Sequence, residues 1–220
     1  MVLLLVRDAS LVWVASGIVG VSFGAISVAG GLPVWAPVVM SLVVYAGSAQ
    51  FSAVGLLLAG SAPFAAAATG LLLNTRLAAY GLAVADVIGR GRTARLVGAH
   101  LVTDETVAFA LAQPDPERRR TTFWVSGLGL FAVWNVSVLA GALAGRALGD
   151  TAAYGLDAAF PAVLAALVLP ALRDDARIRR CALLGAGVAL VATPAVPAGV
   201  PVLLALTGLA LYGGRRKAAA

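Results

Sequence analysis

The sequence predicts an all-α, polytopic integral membrane protein with seven or eight hydrophobic helical segments, some of them broken or re-entrant. Hydrophobic residues make up 61% of the 220 residues and charged residues 12%, against about 25% charged residues in ordinary globular chains. The charges lie in short clusters between long apolar runs, and a single cysteine is too few for a disulfide scaffold. This composition excludes a soluble enzyme and a disordered chain.

Eight apolar runs support this fold class, because a membrane helix needs about 20 apolar residues to cross roughly 30 Å of hydrocarbon. They cover residues 11–29, 34–59, 62–85, 97–113, 123–145, 156–172, 181–193 and 200–212. The fourth run is weaker, because Thr103-Asp104-Glu105 interrupts it. The last two runs are short, and the proline-rich turn between them favours a helical hairpin. We expect one transmembrane domain over residues 1–220.

Basic clusters at the ends of the runs predict the orientation. Cytoplasmic loops are enriched in Lys and Arg, so the loops near residues 114–121 and 173–180 and the tail at residues 214–220 are expected in the cytoplasm. The early topology stays open. If residues 97–113 span the membrane, eight segments place the N-terminus inside and the Arg90–Arg95 loop breaks the rule. If they are re-entrant, seven segments place it outside.

Asn74 and Arg76 lie near the middle of the third run and are candidates for a substrate site. A charge at the centre of a membrane helix costs about 2.5–3.5 kcal/mol, so Arg76 is expected to face a cavity or a partner group. One interpretation is a carboxylate-bearing substrate, because a guanidinium matches a carboxylate in shape. The alternative is an ion pair with an acid of the same chain, with Asp104 or Glu105 the nearest candidates.

The second run carries a polar stripe. Ser41, Tyr45, Ser48 and Ser52 are spaced four, three and four residues apart, which predicts one face of a single helix. Gln50 lies nearby but off that face. The stripe indicates either a wet surface inside the helix bundle or hydrogen bonds between helices.

Small residues predict the close helix contacts, since they allow backbones to approach in lipid. Two sets are spaced four apart: Ser16, Gly20 and Gly24, and Ser137, Gly141 and Gly145. Gly30-Gly31 and Gly47 have two interpretations. They either serve packing alone or interrupt helices and free backbone groups for a substrate, as in many transporters.

Asp104 and Glu105 are adjacent acids in an apolar context, and His100 lies four residues before Asp104. They are interpreted as a proton relay, because intramembrane carboxylates and histidines are common proton carriers. The alternative is structural, with Thr103 or Asp104 as the N-cap of a helix at a break. We expect no enzyme activity, cofactor or metal site, because one His and one Cys cannot build a His/Cys cluster and no phosphate loop is present.

Several stretches resemble the AzlC family. They are Gly17–Gly24, Val44–Phe51, Asn74–Gly81, Thr103–Glu105 and Leu156–Pro161, together with the closing proline-rich hairpin. The resemblance implies a YgaZ-type large subunit of a branched-chain amino acid exporter, multi-pass in the bacterial cytoplasmic membrane. It also implies a small AzlD-like (YgaH-type) membrane subunit as partner. One departure is Leu77, where many family members have His directly after the arginine.

We therefore expect secondary export of valine, leucine, isoleucine and, as in some members, methionine by alternating access, with no nucleic-acid partner. The expected substrate-binding residues are Arg76, Asn74, Tyr45, Ser48 and Gln50. Asp104 and Glu105 are expected to carry a proton or to hold Arg76. Two other classes stay open, namely an importer or carrier of another small solute, and a non-transporting membrane scaffold.

Overall fold

The computed structural model describes residues 2–148, 165, 168–196 and 200–209, and every regular element in these ranges is helical. The helices are α1 (Val2–Ala29), α2 (Trp35–Val43), α3 (Gly47–Leu58), α4 (Pro63–Ala83), α5 (Ala85–Ile88), α6 (Arg92–His100), α7 (Asp104–Leu111), α8 (Pro116–Leu148), α9 (Ala176–Ala192) and α10 (Val200–Leu204), followed by a 3₁₀ helix at Ala205–Leu209. Residues 168–174 are also helical. Most of the sixth predicted run and the basic tail lie outside the described residues.

The contacts divide the chain into two units, which are described separately. The first comprises Met1–Gln50 and Leu72–Asp157, and the second comprises Phe51–Leu71 and Ala158–Ala220. In the second unit α9 packs against the 3₁₀ helix so closely that a Cβ at Gly208 would overlap the Cys181 carbonyl. This contact confirms the predicted C-terminal helical hairpin as far as residue 209. The single-domain assignment stays a prediction.

In the first unit, α1 and α8 pack along each other and run parallel. The Trp13 indole nitrogen donates to the Ser126 carbonyl oxygen near their beginnings. Further along, a Cβ added at Gly24 would overlap the Val138 carbonyl, and one at Gly141 would overlap the Val21 carbonyl. The two predicted small-residue stripes therefore face each other across one helix contact.

The outward faces of α1 and α8 are apolar. Ala9–Ala29 and Pro116–Ala147 are long and apolar enough to cross a membrane, and only 39% and 33% of their most apolar windows are buried. A core helix of a soluble protein would be largely buried, whereas these helices expose large aliphatic side chains, including Leu11, Val14, Ile18, Leu128, Val136 and Leu143. This pattern fits contact with lipid. The total of seven or eight segments stays a prediction.

The second predicted run is not one helix. The helix α2 ends at Val43 and α3 begins at Gly47, and Tyr45 between them has a φ of 40°, which non-glycine residues rarely adopt. Of the two interpretations of Gly47, the interruption of a helix is therefore observed. The prediction of one continuous polar face is wrong, because the break separates the members of the stripe, which were Ser41, Tyr45, Ser48 and Ser52.

The helix before this break runs along α8. In chain order, Ser41 contacts Asn135 and Tyr45 contacts Phe131, so the chain moves toward the beginning of α8 as it approaches the break. Gly47, directly after the break, lies against the ring of Trp134. The run at residues 34–59, expected to be a single span, is therefore a broken pair of helices.

The fourth predicted run is a second broken pair. At 1.5 Å per residue, α6 and α7 are about 14 Å and 12 Å long, too short to cross roughly 30 Å of hydrocarbon. The Arg120 guanidinium at the beginning of α8 lies against Gly89, just before this pair. Arg119 donates to the Gln113 carbonyl oxygen just after it, at 3.1 and 3.2 Å. The pair therefore leaves and returns at the same end of α8, which agrees with the re-entrant alternative.

One part of that alternative is wrong. It placed the N-terminus on the opposite side from the loop near residues 114–121, but α1 and α8 run parallel, so their N-terminal ends lie at the same end of the first unit. The physical reason is the break at Tyr45. Charge clusters report the side on which a loop lies but give no signal for a break inside an apolar run, so counting the runs does not fix the parity.

The α1–α8 contact predicts a specific sensitivity to added methyl groups. Gly141→Ala should lower the stability of the detergent-solubilised protein by about 1–3 kcal/mol, because the new Cβ overlaps backbone that cannot rotate away. Thermal unfolding measures this. Gly187→Ala on α9 is the matched control, because a Cβ there meets nothing within 4 Å. Equal melting temperatures for the two variants would contradict the proposed close approach.

The re-entrant course of residues 92–111 predicts which side of the membrane labels them. In a Cys181→Ala background, Arg90→Cys and Gln113→Cys should react with a membrane-impermeant maleimide from the same side, because both flank the beginning of α8. Leu32→Cys, after α1, should react from the other side. Labelling of positions 90 and 113 from opposite sides would show that this segment spans the membrane.

Candidate functional site

Each broken pair consists of two short helices separated by three residues. The two pairs approach each other from opposite ends of α8. The first half-helices, α2 and α6, have nine residues each. Three residues then interrupt each pair, Val44–Ala46 in the first and Leu101–Thr103 in the second. The long helices before them, α1 and α4, end at opposite ends of α8. Such an inverted arrangement of discontinuous helices is typical of secondary transporters, whose substrate sites lie at the breaks.

His100 joins the two breaks. Its Nε2 donates to the carbonyl oxygen of Leu42 at 2.8 Å. That carbonyl lies in the last turn of α2, where carbonyl groups lack partners within the helix. The imidazole ring also packs against Tyr45 and Phe131, with ring centroids 5.8 and 5.6 Å away. The ends of α2 and α6 are therefore held together by a hydrogen bond and an aromatic cluster.

Arg76 links the beginnings of the other two half-helices. Its Nη2 donates to the Ser48 hydroxyl in α3 at 3.0 Å and lies 3.7 Å from Asp104 Oδ1 in α7. The predicted ion pair within the chain is thus present, with Asp104 as the partner, while Glu105 lies half-buried beside it in the same turn.

The ion pair is loose and open. A direct charge-assisted hydrogen bond is about 2.7–2.9 Å long, so the 3.7 Å separation is not one. The side chains of Arg76 and Asp104 are 41% and 51% exposed in the isolated chain. A polar ligand can therefore reach both charged groups, unlike in a closed pair that serves only to hold helices together.

Measured along the axis of α8, the guanidinium lies near the middle of the first unit, although its side chain is partly exposed. Ser48 follows Gly47, which packs on Trp134 near the centre of α8. The helix α4 ends at Ala83, seven residues or about 10 Å beyond Arg76.

The beginnings of α3 and α7 differ in charge. At α7, Thr103 Oγ1 accepts from the Thr106 N–H and Thr106 Oγ1 accepts from the Thr103 N–H, at 3.2 and 2.8 Å. This capping box confirms Thr103 as the N-cap, and the acids of the first turn complement the helix dipole. In contrast, α3 follows Ala46, which has no polar side chain, and has no acid in its first turn. The beginning of α3 therefore favours an anion.

Gln50 and Asn74 do not face this ion pair. Each lies two residues from a member of the cluster, Gln50 after Ser48 and Asn74 before Arg76, which is about 200° around a helix. Gln50 is 0% exposed, and its amide has no hydrogen-bond partner among the described residues. The buried Asn74 Oδ1 also has no hydrogen-bond partner among the described residues. The structure thus brings together part of the predicted set, namely Arg76, Ser48 and Asp104, with Tyr45 at the adjacent break.

Sequence reasoning missed the contact partners of this cluster. It considered His100 as a proton carrier, four residues from Asp104, but not as a clamp on α2. Phe131 gave no signal, because one aromatic residue in an apolar run is unremarkable in sequence. Asn135 is a polar residue within the fifth apolar run, and its Oδ1 accepts from the Ser41 hydroxyl at 2.6 Å.

Comparisons with known proteins place this architecture in a family. The family model described as AzlC protein matches residues 12–148. The inner membrane protein YgaZ of Escherichia coli (strain K12) is 34% identical over 142 residues, which cover 61% of this chain and 55% of YgaZ. Two uncharacterized membrane proteins from Helicobacter pylori strains are 29% and 32% identical over 130 residues. No solved structure matches the chain.

This chain spans 55–57% of the length of these curated relatives. The family match includes both broken pairs and α8, and therefore every residue of the Arg76 cluster. The relatives are named as membrane proteins, in agreement with the apolar outward faces of α1 and α8. The chain is a membrane protein that belongs to the AzlC family.

Proposed function

We propose that this chain is the large subunit of a secondary transporter that exports branched-chain amino acids, and that Arg76 and Asp104 bind the two charged groups of the substrate. The observation that carries this proposal is the open ion pair between the beginnings of two half-helices. An amino acid zwitterion has one group of each sign. Its carboxylate can therefore contact Arg76 while its ammonium contacts Asp104, so that two close ionic contacts replace one loose ion pair.

The carboxylate would bind on the α3 side. Arg76 offers a planar donor fork, and the Ser48 hydroxyl lies 3.0 Å from its Nη2. The first N–H groups of α3 lack partners within the helix and point toward its N-terminal end. These three kinds of donor favour a carboxylate over a neutral amide.

The ammonium would bind on the α7 side, where Asp104 and Glu105 begin the helix. The zwitterion carries no net charge, so its entry leaves the charge of the site unchanged. This limits the electrostatic cost of placing it between the half-helices. Glu105, half-buried behind Asp104, would carry the coupling proton.

The substrate class rests on the family resemblance and on the apolar wall beside the charges. Tyr45 lies three residues before Ser48 and packs with Phe131, so an aliphatic side chain would have aromatic surface next to the carboxylate site. One methylene changes binding in such an apolar pocket by only about 1–3 kcal/mol. Leucine, isoleucine, valine and methionine should therefore compete with one another.

Alternating access follows from the inverted arrangement of the two broken pairs. Each pair would close the central site from one end. The bond of His100 with Leu42 joins the pairs directly, and Arg76 of α4 joins them by contacting both Ser48 and Asp104. If one pair moves away from the other, the site opens toward the end from which that pair enters.

Substitution of Arg76 tests the proposal. Arg76→Ala should reduce efflux of labelled leucine from preloaded cells at least about tenfold, since a lost charge-assisted hydrogen bond costs about 1.5–3 kcal/mol. Arg76→Lys should retain part of the activity. Arg146→Ala is the control, because Arg146 is an exposed arginine near the other end of α8. Wild-type efflux by Arg76→Ala, with normal amounts in the membrane, would contradict the carboxylate role.

The same proteins in liposomes distinguish the alternative functions. Flux of labelled leucine in one direction or in both separates an exporter from an importer. Absence of leucine flux in both directions, with flux of another solute, would identify a different carrier. Absence of flux for every solute tested would favour the non-transporting scaffold, a role that does not require an exposed Arg76 side chain.

We also propose, from the family resemblance, that the active form contains a small AzlD-like subunit. Co-expression of a tagged copy of this chain with such a subunit should yield a complex that survives purification in mild detergent, and efflux should require both chains. Full leucine efflux by this chain alone in reconstituted liposomes would contradict the two-subunit form.

A further inference from the structure

We propose that arginines at the base of the second broken pair form a binding surface for the headgroups of anionic phospholipids. Five exposed arginines lie there, in the segments that begin α6 and α8: Arg90, Arg92, Arg95, Arg118 and Arg120. None of them forms an ion pair with any residue that the structure describes. They also outnumber the exposed acids of the same segments, Asp86, Asp115 and Glu117, so the described surface carries a net positive charge.

The fold brings these segments to one place. Arg120 at the beginning of α8 lies against Gly89, directly before Arg90 and the beginning of α6. Arg119, next to it, bonds the Gln113 carbonyl oxygen at the end of the second broken pair. Two arginine groups separated by more than twenty residues in sequence thus form one basic rim.

Apolar side chains next to this rim indicate what kind of anion it binds. Leu96 lies four residues after Arg92 on the same side of α6, and it is 75% exposed. Val97 beside it is also exposed. A soluble anion would satisfy the arginines and leave these aliphatic groups in water. A phospholipid satisfies both, because it carries a phosphate and acyl chains.

The approach to the first broken pair lacks this feature. Residues 30–34, which join α1 to α2, contain no charged side chain, and among the described residues Arg146 is the single basic residue near that end of α8. Lipid phosphates would therefore bind the base of the second pair more tightly than the approach to the first. Since α6 leads from this rim to His100 at the break, a bound lipid would also fix the depth at which α7 presents Asp104.

Native mass spectrometry of the detergent-solubilised chain tests this surface without any transport assay. In separate titrations, phosphatidylglycerol should bind at least about tenfold more tightly than phosphatidylcholine. The double variant Arg92→Gln, Arg95→Gln should lose most of this preference, since each arginine near an anionic surface contributes roughly fivefold in affinity. Arg146→Gln should keep it.

Three results would overturn the proposal. One is equal binding of the two lipids, and another is an unchanged preference in the double variant that elutes as a folded monodisperse species. The third is displacement of phosphatidylglycerol by an equal concentration of glycerol 3-phosphate, which would identify a site for soluble anions. The effect of a bound lipid on Asp104 rests on the proposed function. The preference for phosphatidylglycerol is independent of that function, so the lipid titration still tests it if the efflux experiment fails.

Discussion

The candidate site depends on a single electrostatic contact, the Arg76 guanidinium placed between Ser48 and Asp104 at the beginnings of two half-helices. A guanidinium in a membrane protein needs polar partners, and here they come from two chain segments that are far apart in sequence. The contact is loose enough to be replaced by a ligand and central enough to link both broken pairs. The proposals about substrate, coupling and access all start from this geometry.

The surrounding fold makes the contact possible. Broken helices expose backbone groups and place half-helix ends inside the protein, which a continuous span cannot do. The breaks require support, and α8 provides it through Phe131 and Trp134, which pack against Tyr45 and Gly47. The close glycine contact with α1 fixes α8 in turn. Tyr45 itself has a strained backbone, and such strain persists where surrounding contacts impose it, often at functional sites.

Part of this was predictable from sequence, because composition and isolated charges are strong signals. Residue types and their spacing indicate four features correctly: the all-helical class, the small-residue contacts, the Thr103 cap and the pairing of Arg76 with an acid. The break at Tyr45 was only one of two interpretations of the sequence, because the spacing of four and three residues in the polar stripe of residues 34–59 imitates a continuous helix. The backbone at Tyr45 distinguishes a broken pair from a continuous helix.

Two predicted site residues do not face the cluster, and the reason is geometric. Gln50 and Asn74 are near the cluster in sequence, but a separation of two residues turns a side chain to nearly the opposite side of a helix. Proximity in sequence therefore assigned too many residues to the site. The structural role of His100 was not predicted, because its partner is a backbone carbonyl of α2, which leaves no trace in a sequence pattern.

The most direct test of the account is a binding measurement with substrate analogues that each lack one charge. Isothermal titration of the purified protein should give leucine an affinity at least about tenfold higher than that of leucinamide, which lacks the carboxylate, and of 4-methylpentanoate, which lacks the ammonium. In Arg76→Ala, leucine and leucinamide should bind equally weakly. Leucinamide that binds wild-type protein as tightly as leucine would contradict the central claim, because the guanidinium would then have no carboxylate to hold.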